Sequence, residues 1–386
     1  MKDKIQENPE WNKIPCLQIK HCEFNYDKSL IIFATNYGYR VFEAENFKLV
    51  SKVDDVQEMI GQLTKASILY NSKLICFLGD SQNVSFPKTQ LVFWDESKQK
   101  KLGILILKEN IDTFYLTKNV IITLTKNKIL LFELATLKFI TKIDNIIIDE
   151  NLFTYLDKNP LTLGYVSSEY SNLNIISLIK FKIDNSQGKV LSRNRIGVIT
   201  QFEKIKHIQF PIMNDEVIIC SSQYENKIHI YSTFDNLLLY CIYLGQVIIS
   251  LSNLYLDNKI KFLLCVVDNE EMHLYKLKGN QEKYACNCKE HSDSDVKKTR
   301  KGSTNSFFGG FISKMFNDTS EKYLTLNLNE NQGNLCLVEI DSVNKNYIVI
   351  VNNAGKVHSI IFDRKNGAYI KSEKEYNIFE VSNVNN

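Results

Sequence analysis

The chain has 386 residues, of which 44% are hydrophobic and 24% charged, and its formal net charge at pH 7 is only +3. This near balance argues against general nucleic-acid binding, which usually requires a strongly basic domain. The polar N-terminal residues lack the apolar core of a signal peptide, and no run of about 18 apolar residues predicts a membrane-spanning helix. The nine cysteines lie mostly in apolar, strand-like runs, which predicts buried thiols in a reducing compartment such as the cytosol.

Short runs of Ile, Leu, Val, Phe and Tyr follow one another along the chain, separated by Asn, Asp, Lys and Gly. This pattern is typical of many short strands, and helical periodicity is nearly absent. One phrase recurs, in which an apolar strand with an aromatic residue leads through a small polar turn into another strand. The aromatic residues are spaced at roughly 40–50 residues, apart from a last gap about twice as long. They are Phe42, Phe93, Phe132, Phe181, Tyr231, Tyr275 and Phe362.

A period of about 40–45 residues with four strands per unit is typical of β-propellers. Seven phrases predict an all-β fold, a seven-bladed, WD40-like β-propeller formed as one closed domain by residues 12–384, after a polar tail of residues 1–11. The long last gap predicts an insertion in the sixth blade, at about residues 279–320. Loops of this length inside a compact domain are usually functional or disordered.

The insertion contains the apolar segment NSFFGGFISKMFND at 305–318. On a helix its large apolar side chains occupy one half of the circumference, namely Phe307, Phe308, Phe311, Ile312, Met315 and Phe316. Four basic residues precede them: Lys297, Lys298, Arg300 and Lys301. An apolar face with a basic flank is typical of an interfacial membrane helix, and the alternative is a helix that docks on the propeller or in a partner's groove. Two glycines weaken such a helix by about 2 kcal/mol relative to alanine, so we expect it to fold on contact.

Several phrases, taken in order, resemble the PROPPIN family, the seven-bladed propellers that bind polyphosphoinositides and include the WIPI autophagy proteins. Residues 24–43, FNYDKSLIIFATNYGYRVFE, are similar to the first blade of that family, and residues 58–95, ending in Trp-Asp, are similar to the second. LATLKFITKIDN and NPLTLG match the third blade, and NNAGKVHSIIFDRKNGAYIKSEKEYNIFE resembles the last. The family also carries a long loop in its sixth blade. Generic WD40 propellers share the period but not this ordered set.

The resemblance implies a scaffold for membrane growth in autophagy, recruited by phosphatidylinositol 3-phosphate or the 3,5-bisphosphate. In the family a Phe-Arg-Arg-Gly motif on the fifth blade supplies the lipid contacts, because guanidinium groups bind phosphate through paired, charge-assisted hydrogen bonds. Here the motif aligns with Ile242, Tyr243, Leu244 and Gly245, and a histidine of the family aligns with Gln201. The glycine is kept and both arginines are lost. We therefore expect headgroup binding to be weakened or absent.

Other candidate sites are weaker. Three histidines recur at the same place in three repeats: His229, His273 and His358. Equivalent positions in successive blades lie far apart around a ring, so we expect a structural role on a polar face. Cys286, Cys288 and His291 lie close together but lack the usual spacing of zinc ligands. The chain has neither a Gly-rich phosphate loop nor a Gly-x-Ser-x-Gly elbow, and we expect no enzyme activity, no metal and no cofactor.

Two functions therefore remain open. The first is a PROPPIN-like scaffold, peripheral on cytosol-facing preautophagosomal, endosomal or vacuolar membranes, with anionic lipids and autophagy proteins as partners. The alternative is a protein-binding WD40-type hub without a lipid role. In the family the outer loops of the second blade contact a lipid-transfer partner, and SQNVSFPKTQ at 81–90 occupies that neighbourhood.

Overall fold

The computed structural model describes most of residues 18–243, and beyond residue 243 it describes the eight strands given below for the sixth and seventh sheets. Within 18–243 the residues that it does not describe are 28, 45, 55–59, 82, 148, 169–174, 185–186, 199–203, 212–213 and 223–226. The described residues form seven four-stranded antiparallel sheets and one short 3-10 turn, Glu150–Leu152. Each sheet consists of four strands that are consecutive in the chain and lie side by side in chain order.

The strands of the first three sheets are short and regularly spaced. The first sheet contains β1 Ile19–Phe24, β2 Leu30–Thr35, β3 Gly38–Glu43 and β4 Leu49–Asp54. The second contains β5 Leu63–Ile68, β6 Leu74–Gly79, β7 Gln90–Asp95 and β8 Lys100–Ile106. The third contains β9 Thr113–Leu116, β10 Val120–Thr125, β11 Lys128–Glu133 and β12 Phe139–Asp144.

The remaining four sheets repeat this order with more variable lengths. The fourth contains β13 Phe153–Leu156, β14 Leu161–Val166, β15 Ile175–Asp184 and β16 Gln187–Gly197. The fifth contains β17 Ile205–Gln209, β18 Val217–Ser222, β19 Lys227–Ser232 and β20 Leu238–Tyr243. The sixth contains β21 Leu251–Leu256, β22 Phe262–Val267, β23 Glu271–Leu277 and β24 Ser320–Asn327. The seventh contains β25 Glu339–Ile340, β26 Tyr347–Val351, β27 Lys356–Asp363 and β28 Tyr369–Asn377.

The aromatic residues that define the sequence repeat mark a structural repeat. In five sheets the register between the third and fourth strands shifts at that aromatic residue, because the fourth strand contains one extra residue. The five residues are Phe42, Phe132, Phe181, Tyr231 and Tyr275, and all of them are buried. A β-bulge bends a strand and increases its local twist. The recurring aromatic residue therefore lies opposite a recurring bend in the fourth strand of these sheets.

By its contacts the chain divides into two compact units. The first comprises residues 1–104, 353–356 and 376–386, and the second comprises residues 105–352 and 357–375. In the first unit, the first and second sheets share a buried cluster that includes Ile32, Val41, Ala66, Ile75, Phe77 and Val92.

The second unit contains three further clusters between consecutive sheets. Ile122, Leu131, Leu163 and Phe181 pack between the third and fourth sheets. Ile176, Ile196, Ile218 and Tyr231 pack between the fourth and fifth. Ile219, Ile230, Leu263 and Tyr275 pack between the fifth and sixth. Within this unit, therefore, apolar side chains join each of these sheets to the next.

The sixth sheet has the longest separation in sequence between strands that are neighbours in one sheet. β23 ends at Leu277 and β24 begins at Ser320, and these two residues are Cα partners across the strand pair. Residues 278–319 lie outside the described part of the chain. In the described part of the chain, no helix is long and apolar enough to cross a membrane.

Candidate functional site

The position aligned with the headgroup motif lies at the end of β20. Ile242 is the Cα partner of Ile228, and its side chain is fully buried in the cluster between the fifth and sixth sheets. It is therefore a core residue rather than a ligand contact. Tyr243 is described by its backbone alone, as the Cα partner of Lys227. Gln201, Leu244 and Gly245 lie outside the described residues.

The apolar segment and basic flank of the insertion also lie outside the described residues, as do the candidate ligands Cys286, Cys288 and His291. The insertion leaves the sheet from Leu277, whose side chain is buried against the fifth sheet's core, and rejoins it at Ser320. The insertion is therefore attached to the sixth sheet at two backbone positions that are paired across neighbouring strands.

Two of the repeated histidines lie inside the sheets. His229 and His273 are both buried, so the structural role that we expected for them is inside the sheets, whereas the side chain of His358 lies outside the described part of the chain. Each is the Cα partner of a buried cysteine, Cys220 and Cys265 respectively. The ring of each histidine contacts the buried tyrosine two residues further along the strand, with ring centroids 6.1 Å and 6.2 Å apart. The described residues contain no group of three or more His, Cys, Asp or Glu placed to hold a metal ion. A structural role therefore accounts for both side chains.

The loop between β6 and β7 contains residues 81–89 of the segment 81–90 and is anchored by one amide. Asn83 is buried, and its Nδ2 donates hydrogen bonds to the carbonyl oxygens of Ile60 at 2.6 Å and Gln62 at 2.9 Å. Its Oδ1 accepts a hydrogen bond from the backbone N–H of Phe86 at 2.8 Å. The amide thus joins the middle of the loop to the segment that leads into β5.

Packing around Phe86 holds the same loop in place. The Phe86 ring meets the Phe77 ring edge-on with centroids 5.5 Å apart, and Lys101 Nζ lies 5.9 Å from the Phe86 centroid. A Cβ atom at Gly79 would lie 1.8 Å from the Phe86 carbonyl oxygen, so this close approach requires glycine. Val84 is 93% exposed on this supported loop. The loop therefore presents an apolar side chain to solvent from a fixed backbone.

Asn25 and Asp27, near the start of the segment 24–43, join two sheets. The buried Asn25 donates from Nδ2 to the Tyr70 carbonyl oxygen at 3.0 Å and to Asn71 Oδ1 at 2.9 Å, in the turn between β5 and β6. Asp27 accepts hydrogen bonds from Ser29 Oγ at 2.7 Å and from Asn71 Nδ2. Burial tends to raise the pKa of Asp27, but the hydrogen bonds from Ser29 and Asn71 outweigh it and lower the pKa. Asn25 and Asp27 lie in the first-blade segment that carried the family resemblance, whereas nothing in the sequence pointed to Asn71.

A charged junction joins the fourth and fifth sheets. Asp215 lies before β18, and its carboxylate oxygens lie 2.7 Å from Lys180 Nζ and 3.4 Å from Lys158 Nζ. Burial tends to raise the pKa of Asp215, but the hydrogen bond and charge of Lys180, together with the charge of Lys158, outweigh it and lower the pKa. No sequence motif indicated this cluster, because its three members come from separate turns and strands.

Solved structures of known proteins share this architecture, although no protein-family model matches the chain. Hsv2 from Kluyveromyces lactis is 15% identical, with a TM-score of 0.66 over 93% of this chain and 99% of that one. A form of KlHsv2 with loop 6CD replaced by a Gly-Ser linker is 14% identical, with a TM-score of 0.63 and the same coverage. KlAtg21, in a complex with the coiled coil of AgAtg16, is 14% identical, with a TM-score of 0.67 over 93% and 99% of the two chains.

The chain therefore has the β-propeller fold of these proteins, which confirms the predicted fold class. At 14–15% identity the property shown to be shared is the fold.

Proposed function

We propose that this protein is a PROPPIN-like scaffold that acts at phosphatidylinositol 3-phosphate-bearing membranes during autophagosome formation. The observation that carries the proposal is the position of the insertion, between the third and fourth strands of the sixth sheet, in a fold shared with Hsv2 and Atg21. The name loop 6CD, used for KlHsv2, fits the same connection if strands are lettered in chain order. The ordered blade phrases of the sequence point to the same family.

We propose further that headgroup recognition is weakened or lost. Each charge-assisted hydrogen bond is worth about 1.5–3 kcal/mol, and Tyr243 and Leu244 replace the two arginines that would make several of them. The burial of Ile242 supports this alignment, since an apolar residue is suited to the first position of the motif. Membrane attraction then depends on the insertion, where four basic residues would each add about 1 kcal/mol at an anionic surface.

The second sheet supplies the proposed protein contact. In this proposal Val84, on the loop supported by Asn83, contacts an autophagy protein such as a lipid-transfer partner. The same observation favours the alternative function, a protein-binding hub without a lipid role, because an exposed apolar side chain on a rigid loop suits a protein interface. The complex of KlAtg21 with a coiled coil is an example of a protein partner for this fold.

Flotation with vesicles separates these functions. We expect the protein to bind vesicles of phosphatidylcholine and phosphatidylserine, with little gain when phosphatidylinositol 3-phosphate is added. The triple variant Phe307→Ser, Phe308→Ser, Phe311→Ser should lose binding, because it removes half of the apolar face. Binding that requires the phosphoinositide would show a working headgroup pocket. Absence of binding by the unmodified protein to all vesicles would favour the hub.

A further inference from the structure

The fifth sheet carries a nearly fully exposed aromatic side chain on a well-ordered turn. Between β19 and β20, Phe234 is 92% exposed and Leu237 is 48% exposed. The turn is closed by a hydrogen bond from Ser232 N–H to the Leu237 carbonyl oxygen at 2.8 Å. Leu237 N–H also donates to Asp235 Oδ1 at 3.3 Å, so the one acidic side chain of the turn is bonded back to its backbone. Hydrogen bonds therefore hold the backbone of this turn in the conformation that exposes Phe234.

Hydrogen bonds from the neighbouring sheet and from another connection of the fifth sheet fix this turn. Asn194 of β16 donates from Nδ2 to the Thr233 carbonyl oxygen at 2.7 Å and to Asn236 Oδ1 at 2.8 Å. Thr233 N–H also donates to the Glu216 carbonyl oxygen at 2.8 Å. Three connections to chain segments remote in sequence make the turn rigid, so little conformational entropy would be lost if its side chains were buried by a partner.

The hairpin that holds the turn is basic. Residues 175–197 contain Lys180, Lys182, Lys189, Arg193 and Arg195 but only one acidic residue, Asp184. Lys180 already pairs with Asp215. The exposed Lys182 and Lys189 are Cα partners across the hairpin. The hairpin therefore places two exposed positive charges next to one another, and an anionic surface would attract both.

The turn between β19 and β20 joins the third and fourth strands of the fifth sheet. It is the counterpart of the connection between β23 and β24 of the sixth sheet, which contains the insertion. Ile230 of β19 and Tyr275 of β23 belong to one buried cluster, so the third strands of the fifth and sixth sheets lie in adjacent, packed sheets. Each sheet repeats the same order of antiparallel strands. The end of β19, which leads into Phe234, and the end of β23 at Leu277 therefore lie at corresponding ends of these sheets.

We propose that the turn 233–237 is a second contact with an anionic lipid bilayer, in which Phe234 and Leu237 enter the interfacial layer while the β15–β16 hairpin faces the lipid phosphates. This inference rests on the proposed membrane function and names a contact outside the insertion. Aromatic side chains favour the bilayer interface, and basic groups add electrostatic attraction. A specific protein interface needs about 800 Å² on each partner, whereas this turn offers two apolar side chains at its tip, so a bilayer is the better fit.

Binding of the full chain to vesicles of phosphatidylcholine and phosphatidylserine tests this contact. We expect Phe234→Ser with Leu237→Ser to weaken binding about tenfold or more, since buried apolar area is lost. The matched control is Ile106→Ser, an exposed apolar side chain at the end of β8 in the second sheet, which should bind like the unmodified protein. Lys182→Glu with Lys189→Glu should also weaken binding and reduce its dependence on salt.

Phe234→Trp provides a local readout that does not depend on affinity. Compared with the unmodified protein, its added fluorescence should shift to shorter wavelength when vesicles are present. If the unmodified protein binds no vesicles, the proposed function and this inference both fail. If the protein binds and the insertion variant does not, while the Phe234 and Leu237 variant binds normally and the fluorescence does not shift, the proposed function stands and this inference is overturned.

Discussion

Single polar side chains join segments of the chain that are remote in sequence, either in neighbouring sheets, as at Asn25 and Asp215, or within one sheet, as at Asn83. Asn25, Asn83 and Asp215 each bind partners that are remote in sequence, and the two asparagines are buried. Buried amides are stabilising only when their donors and acceptors are satisfied, and the hydrogen bonds of Asn25 and Asn83 meet that condition with backbone and side-chain groups. These side chains therefore determine locally how the segments they join are aligned.

Asp215→Asn should lower the free energy of unfolding at pH 7 by about 1 kcal/mol, because the neutral amide loses its charge attraction to Lys180 and Lys158. The pKa of Asp215 is lowered in the folded protein, so its contribution is present above the ordinary pKa of about 3.9 and is lost as the pH falls through the folded-state pKa. Urea unfolding at several pH values measures the difference.

The difference between the unmodified protein and Asp215→Asn should accordingly shrink as the solution is acidified below about pH 4. Asp144→Asn is the matched control, because Asp144 pairs with Lys142 at 3.0 Å in a more exposed setting and should matter less. A destabilisation by Asp215→Asn that stays constant across this pH range would show that shape, not charge, makes the carboxylate important.

Connections between strands differ in what supports them. The loop between β6 and β7 depends on Asn83 and on the Phe86 ring, whereas the turn between β19 and β20 depends on backbone hydrogen bonds and on Asn194. Both expose an apolar side chain from a fixed backbone, Val84 in one case and Phe234 in the other. At this scale the sheets support the connections, and both of the binding surfaces that we propose lie on connections.

Asn83→Ala should destabilise the protein by about 2–4 kcal/mol, because three hydrogen bonds are lost and buried carbonyl groups are left without their donor. Urea unfolding measures this change. Val84→Ser, one residue away and almost fully exposed, should change the stability by less than about 0.5 kcal/mol. Equal effects of the two substitutions would contradict the assignment of Asn83 as the anchor of the loop.

For the molecule as a whole, a repeated unit of four strands accommodates very different connections. The third and fourth strands of the sixth sheet remain paired although residues 278–319 separate them, and Leu277 and Ser320 are partners at the end of that pair. The entropy of loop closure grows only slowly with loop length, so a long insertion at this point costs the sheet little.

Replacement of residues 279–319 by a short Gly-Ser linker should therefore leave the fold intact. We expect a circular dichroism spectrum dominated by strand and a Tm within a few degrees of the unmodified protein's, because the hairpin pairing does not need the insertion. Vesicle binding should fall sharply in the same variant. Loss of the folded state on replacement would show that the insertion packs against the sheets as part of the core.

The sequence by itself determined the all-β fold, the repeat and the strand aromatic residues. Alternation of apolar and polar residues and the position of turn residues are local properties, and they specify which stretches become strands and which faces are buried. Five of the seven aromatic residues coincide with bulges in the structure, although the sequence alone did not indicate the bulges.

Only the tertiary structure decided which side chains meet between sheets. Asn25 and Asn71 are 46 residues apart, Asn194 and Asn236 are 42 apart, and Asp215 and Lys158 are 57 apart. Periodicity specifies the buried face of a strand but not the side chain of the next sheet that packs on it, because that depends on how neighbouring sheets align. For the same reason the alignment of the headgroup motif did not reveal that Ile242 is a core residue, whereas the packing of the fifth sheet against the sixth shows it.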